Sequence, residues 1–407
     1  MKREIKRGAF LCLQGEKADC FFILLKGKLE VKCVPNSKNL VTFVDAFAAK
    51  TVNFIEQPGL LFGEIATILD STRQASLLAI EDTEVMVIPL RDHNSYKTAL
   101  AIDPRFGLNL GNSIALQVQG MKKVLQKLLE ADSEMAADIT DLKETFQKLI
   151  DFTNRIPRFG NRMLWHKDIS MSLKNEPFLT RKTISKLPAS FYPPGCKKYT
   201  RFFEKFKLSS STYYPDTVLF RQGEFDDFVY VLLSGHLEVR VNGVVVDDIK
   251  DSGTLIGEDE LFLNIGAGSN AVKQPADVIC TTISDAIKIT TDEFKKIFSG
   301  SNEFSYEFIR VMANRLVARN NFLFETEKRI VAGFNEKIYD AFQAFEKVKK
   351  ITEKSTKEDP ELKIALNLAN QGVARASEKM TVWHNWFIAN DIFVEGSSSK
   401  PMVAVKR

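Results

Sequence analysis

Part of this 407-residue sequence occurs twice, and that duplication limits what the chain can fold into more than any other feature. Residues 14–31 reappear at constant spacing as 222–239, with ten of eighteen positions identical. Each copy runs from a Gln-Gly-Glu turn through an apolar stretch to a Gly turn and an alternating Leu-Glu-Val. The apolar stretches are Cys20-Phe21-Phe22-Ile23-Leu24-Leu25 and Phe228-Val229-Tyr230-Val231-Leu232-Leu233. Short apolar and alternating runs punctuated by glycine turns predict the strands of an all-β roll or barrel, present twice. Each copy then reaches a Gly-Glu pair behind two apolar residues, Leu61-Phe62-Gly63-Glu64 and Leu255-Ile256-Gly257-Glu258. The first copy needs 14 more residues to get there. The extra length falls around 35–53 and reads as a longer hairpin, because loop-closure cost grows slowly with length.

Helices are predicted after each β unit. From Ile114, the residues Val118, Met121, Leu125, Leu128, Met135, Ile139, Leu142, Phe146 and Leu149 recur at 4-3 spacing, broken at Asp132. That spacing predicts a coiled-coil seam or a long bundle helix. It is assigned to a homodimer seam, with pairing inside one chain equally allowed. The partner within the chain would be the less regular stripe Phe304, Phe308, Val311, Met312, Leu316, Leu323 and Ile330.

Composition excludes several classes. Hydrophobic residues make up 44% and charged residues 27%, so disordered, collagen-like and disulfide-scaffold chains are ruled out. The net charge of +4 is too near balance to indicate nucleic acid or membrane by itself. Cys12, Cys20, Cys33, Cys196 and Cys280 form no CxxC and meet only four scattered histidines, which reads as buried free thiols without a metal site. No signal-peptide-like or membrane-spanning apolar run is found, and a cytoplasmic location is expected.

The richest chemistry lies in Phe62-Gly63-Glu64-Ile65-Ala66, six further residues, then Arg73-Gln74-Ala75-Ser76. A glycine lets backbone approach a ligand, and a short helical turn after it aims N–H groups at an anion. One arginine offers a bidentate partner for phosphate oxygens, and the glutamate can accept from a ribose hydroxyl. There is no base beside a nucleophile and no metal-ligand cluster, so no catalytic residue is assigned and no enzyme is expected. The plainer reading is that Glu64 and Arg73 form an ion pair holding a turn.

The segment resembles the phosphate-binding cassette of cyclic nucleotide-binding domains, F-G-E-x-A followed after about six residues by R-x-A, and the resemblance covers residues 1–105. It implies cAMP or cGMP as ligand and no other cofactor. Glu64 would meet the ribose 2′-OH and Arg73 the cyclic phosphate. Phe62, Gly63, Ile65, Ala66, Gln74, Ala75 and Ser76 would complete the site. Gln74 departs from the small residue or Thr usual there, which leaves the choice of nucleotide open.

The second unit, residues 209–300, is similar in scaffold. Gly257 and Glu258 remain, but no Arg occurs between Arg240 and Arg310. Residues 213–300 carry 15 acidic and seven basic residues. An anion would meet Glu258, Asp259 and Glu260 with no guanidinium to offset them, so this site is expected to be degenerate.

The order of parts is similar to that of the catabolite activator and FNR-type regulators: nucleotide domain, long helix, winged helix. In 331–407, helices at 362–369 and 376–389 are predicted to flank a turn at Gly372, and the residues from Ile392 onward a two-stranded wing. Arg375, Ser377, Lys379 and Thr381 are the candidate DNA-contacting residues. Trp383, Trp386 and Phe387 read as core. Residues 155–207 hold 13 basic and three acidic residues among aromatics, an alternative polyanion surface or a complement to the acidic second unit.

The expected fold class is therefore α+β. It comprises a nucleotide domain at 1–105, a helical connector with the basic segment at 106–208, a degenerate nucleotide domain at 209–300, a dimer-type helix at 301–330 and a winged-helix-like module at 331–407. Two functions stay open: a cyclic-nucleotide sensor that controls transcription, and a scaffold whose two rolls serve packing and partner binding.

Overall fold

The structure is a computed structural model, and it describes residues 1–34, 39–90, 93–156, 167–169, 179, 208–265, 271–355, 359–390 and 392. The chain divides into two compact units, Met1–Val124 with Pro188–Phe322, and Leu125–Leu187 with Leu323–Arg407.

The first unit holds both copies of the repeat. In the first copy the strands are β1 (Lys2–Ile5), β2 (Phe10–Cys12), β3 (Cys20–Lys26), β4 (Leu29–Cys33), β5 (Lys50–Ile55), β6 (Leu61–Phe62), β7 (Ser76–Ala79) and β8 (Thr83–Pro89). They form two four-stranded antiparallel sheets, β1-β8-β3-β6 and β2-β7-β4-β5. The second copy has β9 (Ser210–Tyr213), β10 (Val218–Phe220), β11 (Phe228–Ser234), β12 (Leu237–Val241), β13 (Val244–Ile249), β14 (Leu255–Ile256), β15 (Asp277–Cys280) and β16 (Ser284–Thr290). Its sheets, β9-β16-β11-β14 and β10-β15-β12-β13, repeat the first order strand for strand. Even the irregularities coincide: the β3–β8 ladder shifts between Leu24 and Lys26, and the β11–β16 ladder between Leu232 and Ser234.

The repeated apolar run is continuous because its strand is buried on both faces. Phe22 and Leu24 point into the roll, whereas Phe21 joins the core shared with the helices; Tyr230 and Leu232 against Val229 and Val231 do the same in the second copy. The repeated glycine after it, Gly27 or Gly235, has φ near +100°. A Cβ there would collide with Thr83 or Ser284, whose hydroxyls take the next backbone N–H, that of Lys28 or His236.

The extra length of the first copy is more than the expected hairpin. Between β4 and β5 it carries a short helix, α1 (Phe43–Ala48), closed by a reciprocal Thr42–Asp45 capping box and anchored by Ala46 against Leu13 and Val41.

Each roll continues into a matching helix pair. The cassette helix α2 (Glu64–Ile68) is followed after β8 by α3 (His93–Ile102) and α4 (Pro104–Arg155). In the second copy α5 (Glu258–Asn264), α6 (Thr291–Gly300) and α7 (Asn302–Gly333) occupy the same places. The predicted stripe lies on α4, which begins ten residues earlier than Ile114. It is covered within the single chain. Leu110, Ile114 and Val118 share one buried cluster with Phe308, Met312 and Leu316. In the second unit Leu128, Met135, Leu142 and Phe146 cluster with Ile330, Phe334 and Phe345. Asp132, the break in the stripe, accepts from Arg329 Nε at 2.8 Å.

The second unit has helices and no strand among its described residues. A π-helical turn, Phe334–Tyr339, leads from α7 into α8 (Asp340–Ser355), and α9 (Pro360–Ala389) follows. Helix α9 starts where Asp359 caps the N–H of Glu361 and Pro360 sets the first turn. The expected turn at Gly372 is corrected: α9 runs through it unbroken. Ala365, Ala369, Gly372 and Ala376 form a buried row of small residues on α9, and the Phe345 ring of α8 fills the space a Cβ at 372 would need. The glycine serves close packing, so no helix-turn-helix is formed there. The expected wing lies outside the described residues except Ile392, as does nearly all of the basic segment. Trp383 and Phe387 are core residues as expected, with Trp386 packed beside them.

Candidate functional site

In the first roll β6 ends at Phe62, whose ring stacks on Phe22 at 5.5 Å. Gly63 then takes φ +77°, a turn that starts α2 on the next residue. Glu64 is 0% exposed and its side chain reaches α4, where Gln117 Nε2 donates to Oε1 at 2.7 Å. Oε2 is buried with no hydrogen-bond partner among the described residues. Burial pushes the Glu64 carboxyl up to about 7, against the opposing pull of its own backbone N–H, of Gln117 and of the Arg73 charge. One turn before Gln117, the Ser113 hydroxyl donates to the Leu61 carbonyl at 2.9 Å.

Arg73 is 5% exposed and sits on the Phe22 ring, 5.0 Å from its centroid. Nη1 donates to the Gly63 carbonyl at 2.8 Å and Nη2 to the Cys20 carbonyl at 2.7 Å. The simple Glu64–Arg73 ion pair is therefore not what holds the turn; backbone carbonyls take the guanidinium's hydrogen bonds. The Arg73 main chain is clamped to the Gln-Gly-Glu turn, its N–H to the Glu16 carbonyl and its carbonyl to the Gly15 N–H. Ile65 and Ala66 are buried in α2, and the Ser76 hydroxyl accepts from the Gln14 N–H at 2.9 Å. Ala75 is half-buried, and Gln74 is exposed, its amide donating to the Thr72 carbonyl at 2.9 Å.

The second cassette begins with the same backbone, Gly257 at φ +88° before α5. The residue clamped between Gly223 and Glu224 in the second copy is Gln274, so a neutral amide stands at the position of Arg73. One expectation is corrected here. Guanidinium groups do offset the acidic cassette, but they come from α7: Arg315 pairs with Glu258 and donates to the Leu255 carbonyl at 2.9 Å, and Arg319 pairs with Asp259 at 2.7 Å. All four side chains are buried.

Ser113, Gln117, Arg315 and Arg319 were not predicted. They lie more than 45 residues from the groups they bind, so no local motif links them. The available signal was two polar residues one helical turn apart on each helix, beside or within an apolar stripe.

The candidate DNA-contacting residues lie on α9. Arg375 is exposed and bonds Asp141 at 3.2 Å and Thr145 at 3.0 Å; Lys379 pairs with Asp138. Ser377 accepts from the Thr381 hydroxyl through its carbonyl at 3.0 Å. Among the described residues no group of His, Cys, Asp and Glu could hold a metal, and no helix is long and apolar enough to cross a membrane.

The family model of the cyclic nucleotide-binding domain matches residues 2–96 and 211–301, so the chain carries two such domains. A comparison with curated proteins finds no match. Among solved structures, cAMP-bound PfPKA-R is similar at 12% identity over 89% of this chain and 83% of that one, with a TM-score of 0.25. The regulatory domain of Toxoplasma gondii PKA with cAMP aligns at 13% identity over 75% and 83%, with a TM-score of 0.20. Thermus thermophilus catabolite activator protein aligns at 22% over 35% and 62%, with a TM-score of 0.27.

Proposed function

We propose that this chain is a non-enzymatic regulatory protein whose first roll binds cAMP or cGMP and whose second roll does not. The observation that carries the reading is a buried arginine in the same cassette as a buried carboxylate that keeps one oxygen without a partner among the described residues, inside a cyclic nucleotide-binding domain. A cyclic phosphate would draw Arg73 from the Gly63 and Cys20 carbonyls, exchanging neutral acceptors for a charged one and forming a shorter, stronger contact. Glu64 would accept from the ribose hydroxyl. The second roll has Gln274 in place of the arginine, and two of its carboxylates, Glu258 and Asp259, are already paired with arginines. Ligand binding can then act on α4, because α4 is bonded to the cassette and a ligand shifts an equilibrium by its differential affinity for two states. DNA contact is left out of the proposal, since Arg375 and Lys379 already meet Asp141 and Asp138.

Calorimetric titration of cAMP and cGMP into the wild type and Arg73→Ala tests this. Micromolar or tighter binding at one site per chain, lost in the variant, is expected. No binding to the wild type, or equal binding to both forms, overturns the reading.

A further inference from the structure

At two equivalent positions around the cassette, one on the turn and one on the helix, each roll carries a guanidinium and an amide, but with the places exchanged. In the first, arginine is on the turn before β7 (Arg73) and the amide on the helix (Gln117); in the second, the amide is on the turn (Gln274) and arginine on the helix (Arg315). Gln117 and Arg315 occupy the same helical position, thirteen residues beyond Pro104 and Asn302, where α4 and α7 begin. Both reach the carboxylate of the cassette glutamate, Glu64 or Glu258. The carbonyl three residues before that glutamate is also gripped in both rolls, by Ser113 at Leu61 and by Arg315 itself at Leu255. Arg315 thus does with one charged side chain what Ser113 and Gln117 do with two neutral ones.

We infer that this helical position decides whether a roll can respond to ligand: Gln117 is a releasable latch between α2 and α4, and Arg315 a fixed clasp between α5 and α7. The distinction follows from the bonds. Parting a buried guanidinium from a buried carboxylate strands two charges in a medium that solvates neither, and Arg319–Asp259 adds a second such pair one turn further on. Parting Gln117 from Glu64 strands no cation, and a ribose hydroxyl can replace the amide as donor. The first cassette can therefore exchange its helix contact for a ligand contact, whereas the second is held to its helix whatever is in solution. This rests on the reading that the first roll takes a cyclic nucleotide, and it makes Gln117 a positioning residue that acts through Glu64.

The test moves the charge. Gln117→Arg is expected to weaken cAMP and cGMP binding at least tenfold with Arg73 and Glu64 intact, and to slow amide hydrogen exchange over 61–69 in unliganded protein. Arg315→Gln is expected to speed exchange over 255–264 and to leave first-roll affinity within about twofold. Wild-type affinity in Gln117→Arg, or unchanged exchange over 255–264 in Arg315→Gln, overturns the inference. Saturable binding of cAMP, cGMP, adenosine or guanosine to the second roll of Arg73→Ala, with Arg315 in place, overturns it as well. If Gln117→Arg does not fold, the Arg315→Gln exchange result decides. If the wild type binds no cyclic nucleotide, the functional proposal falls, and the exchange comparison still decides whether Arg315 is a clasp.

Discussion

Glu64 carries a cost in the unliganded protein, because its carboxyl is fully buried and only one of its oxygens accepts a hydrogen bond from a described residue. Its folded-state value of about 7 lies above the ordinary 4.5, so between those two pH values the folded chain holds a proton that the unfolded chain has lost. Stability from this group is present below about pH 4.5 and is lost as pH rises to about 7, where the deficit reaches about 3 kcal/mol. Glu64→Gln cannot ionise. Relative to the wild type it should be near-neutral at pH 5 and more stable by about 2–3 kcal/mol at pH 8, while losing affinity for nucleotide. Denaturant midpoints at the two pH values check this; a difference that does not grow with pH would refute it. The cassette glutamate was legible in the sequence because its motif is local, nine residues from Arg73. Gln117 was not, because the contact is made by a helix whose place is set by packing, and a glutamine beside an apolar stripe has no signature of its own.

Helix α4 shows how one residue type can carry opposite meanings along a single element. Gly111 faces the Phe262 ring of α5, which occupies the space a Cβ would enter, whereas Gly120 is exposed with nothing within 4 Å. Two effects compete in a glycine-to-alanine change inside a helix: a propensity gain of about 1 kcal/mol and an overpacking cost of about 1–3 kcal/mol. At Gly120 only the first operates, and Gly120→Ala should stabilise by about 0.5–1 kcal/mol. At Gly111 the second wins because Phe262 is itself wedged among Phe294, Phe298 and Phe308, and Gly111→Ala should destabilise by about 1–2 kcal/mol. Thermal melts of the two variants should move in opposite directions; a shared sign would mean that packing at Gly111 does not govern. The same competition explains the mistaken turn at Gly372. Read alone, a glycine between two apolar helical stretches marks a stop. In the fold, Phe345 needs the missing Cβ, and the small residues at 365, 369 and 376 extend the close approach.

Across the whole chain, duplication was readable from Gln-Gly-Glu and Leu-Glu-Val because strand and turn chemistry is written in consecutive residues. The closing of the α4 stripe by α7 was not, since a 4-3 spacing states that a face is covered without saying by which copy. Within the first unit that closure joins the rolls through one core: Phe21, Ile65 and Tyr96 of the first copy lie in the same buried cluster as Val231, Phe262 and Phe294 of the second. Tyr96 and Tyr306 approach to 6.4 Å, and the Tyr96 hydroxyl also reaches the Glu64 carbonyl at 3.4 Å. A roll that binds nothing therefore still supports the one proposed to bind. Phe262→Ala removes a ring from the middle of this core, at a cost of about 3–5 kcal/mol. If the rolls share a cooperative unit, amide protection should fall together over 20–26 and 228–234, although Phe262 belongs to the second copy alone. Nucleotide at about 100 times its dissociation constant should then restore about 2.7 kcal/mol to both segments, because a ligand bound to the native state stabilises everything that unfolds with its site. Loss of protection confined to 228–234, or ligand protection confined to 20–26, would show two rolls that fold apart and would remove the second roll's part in sensing.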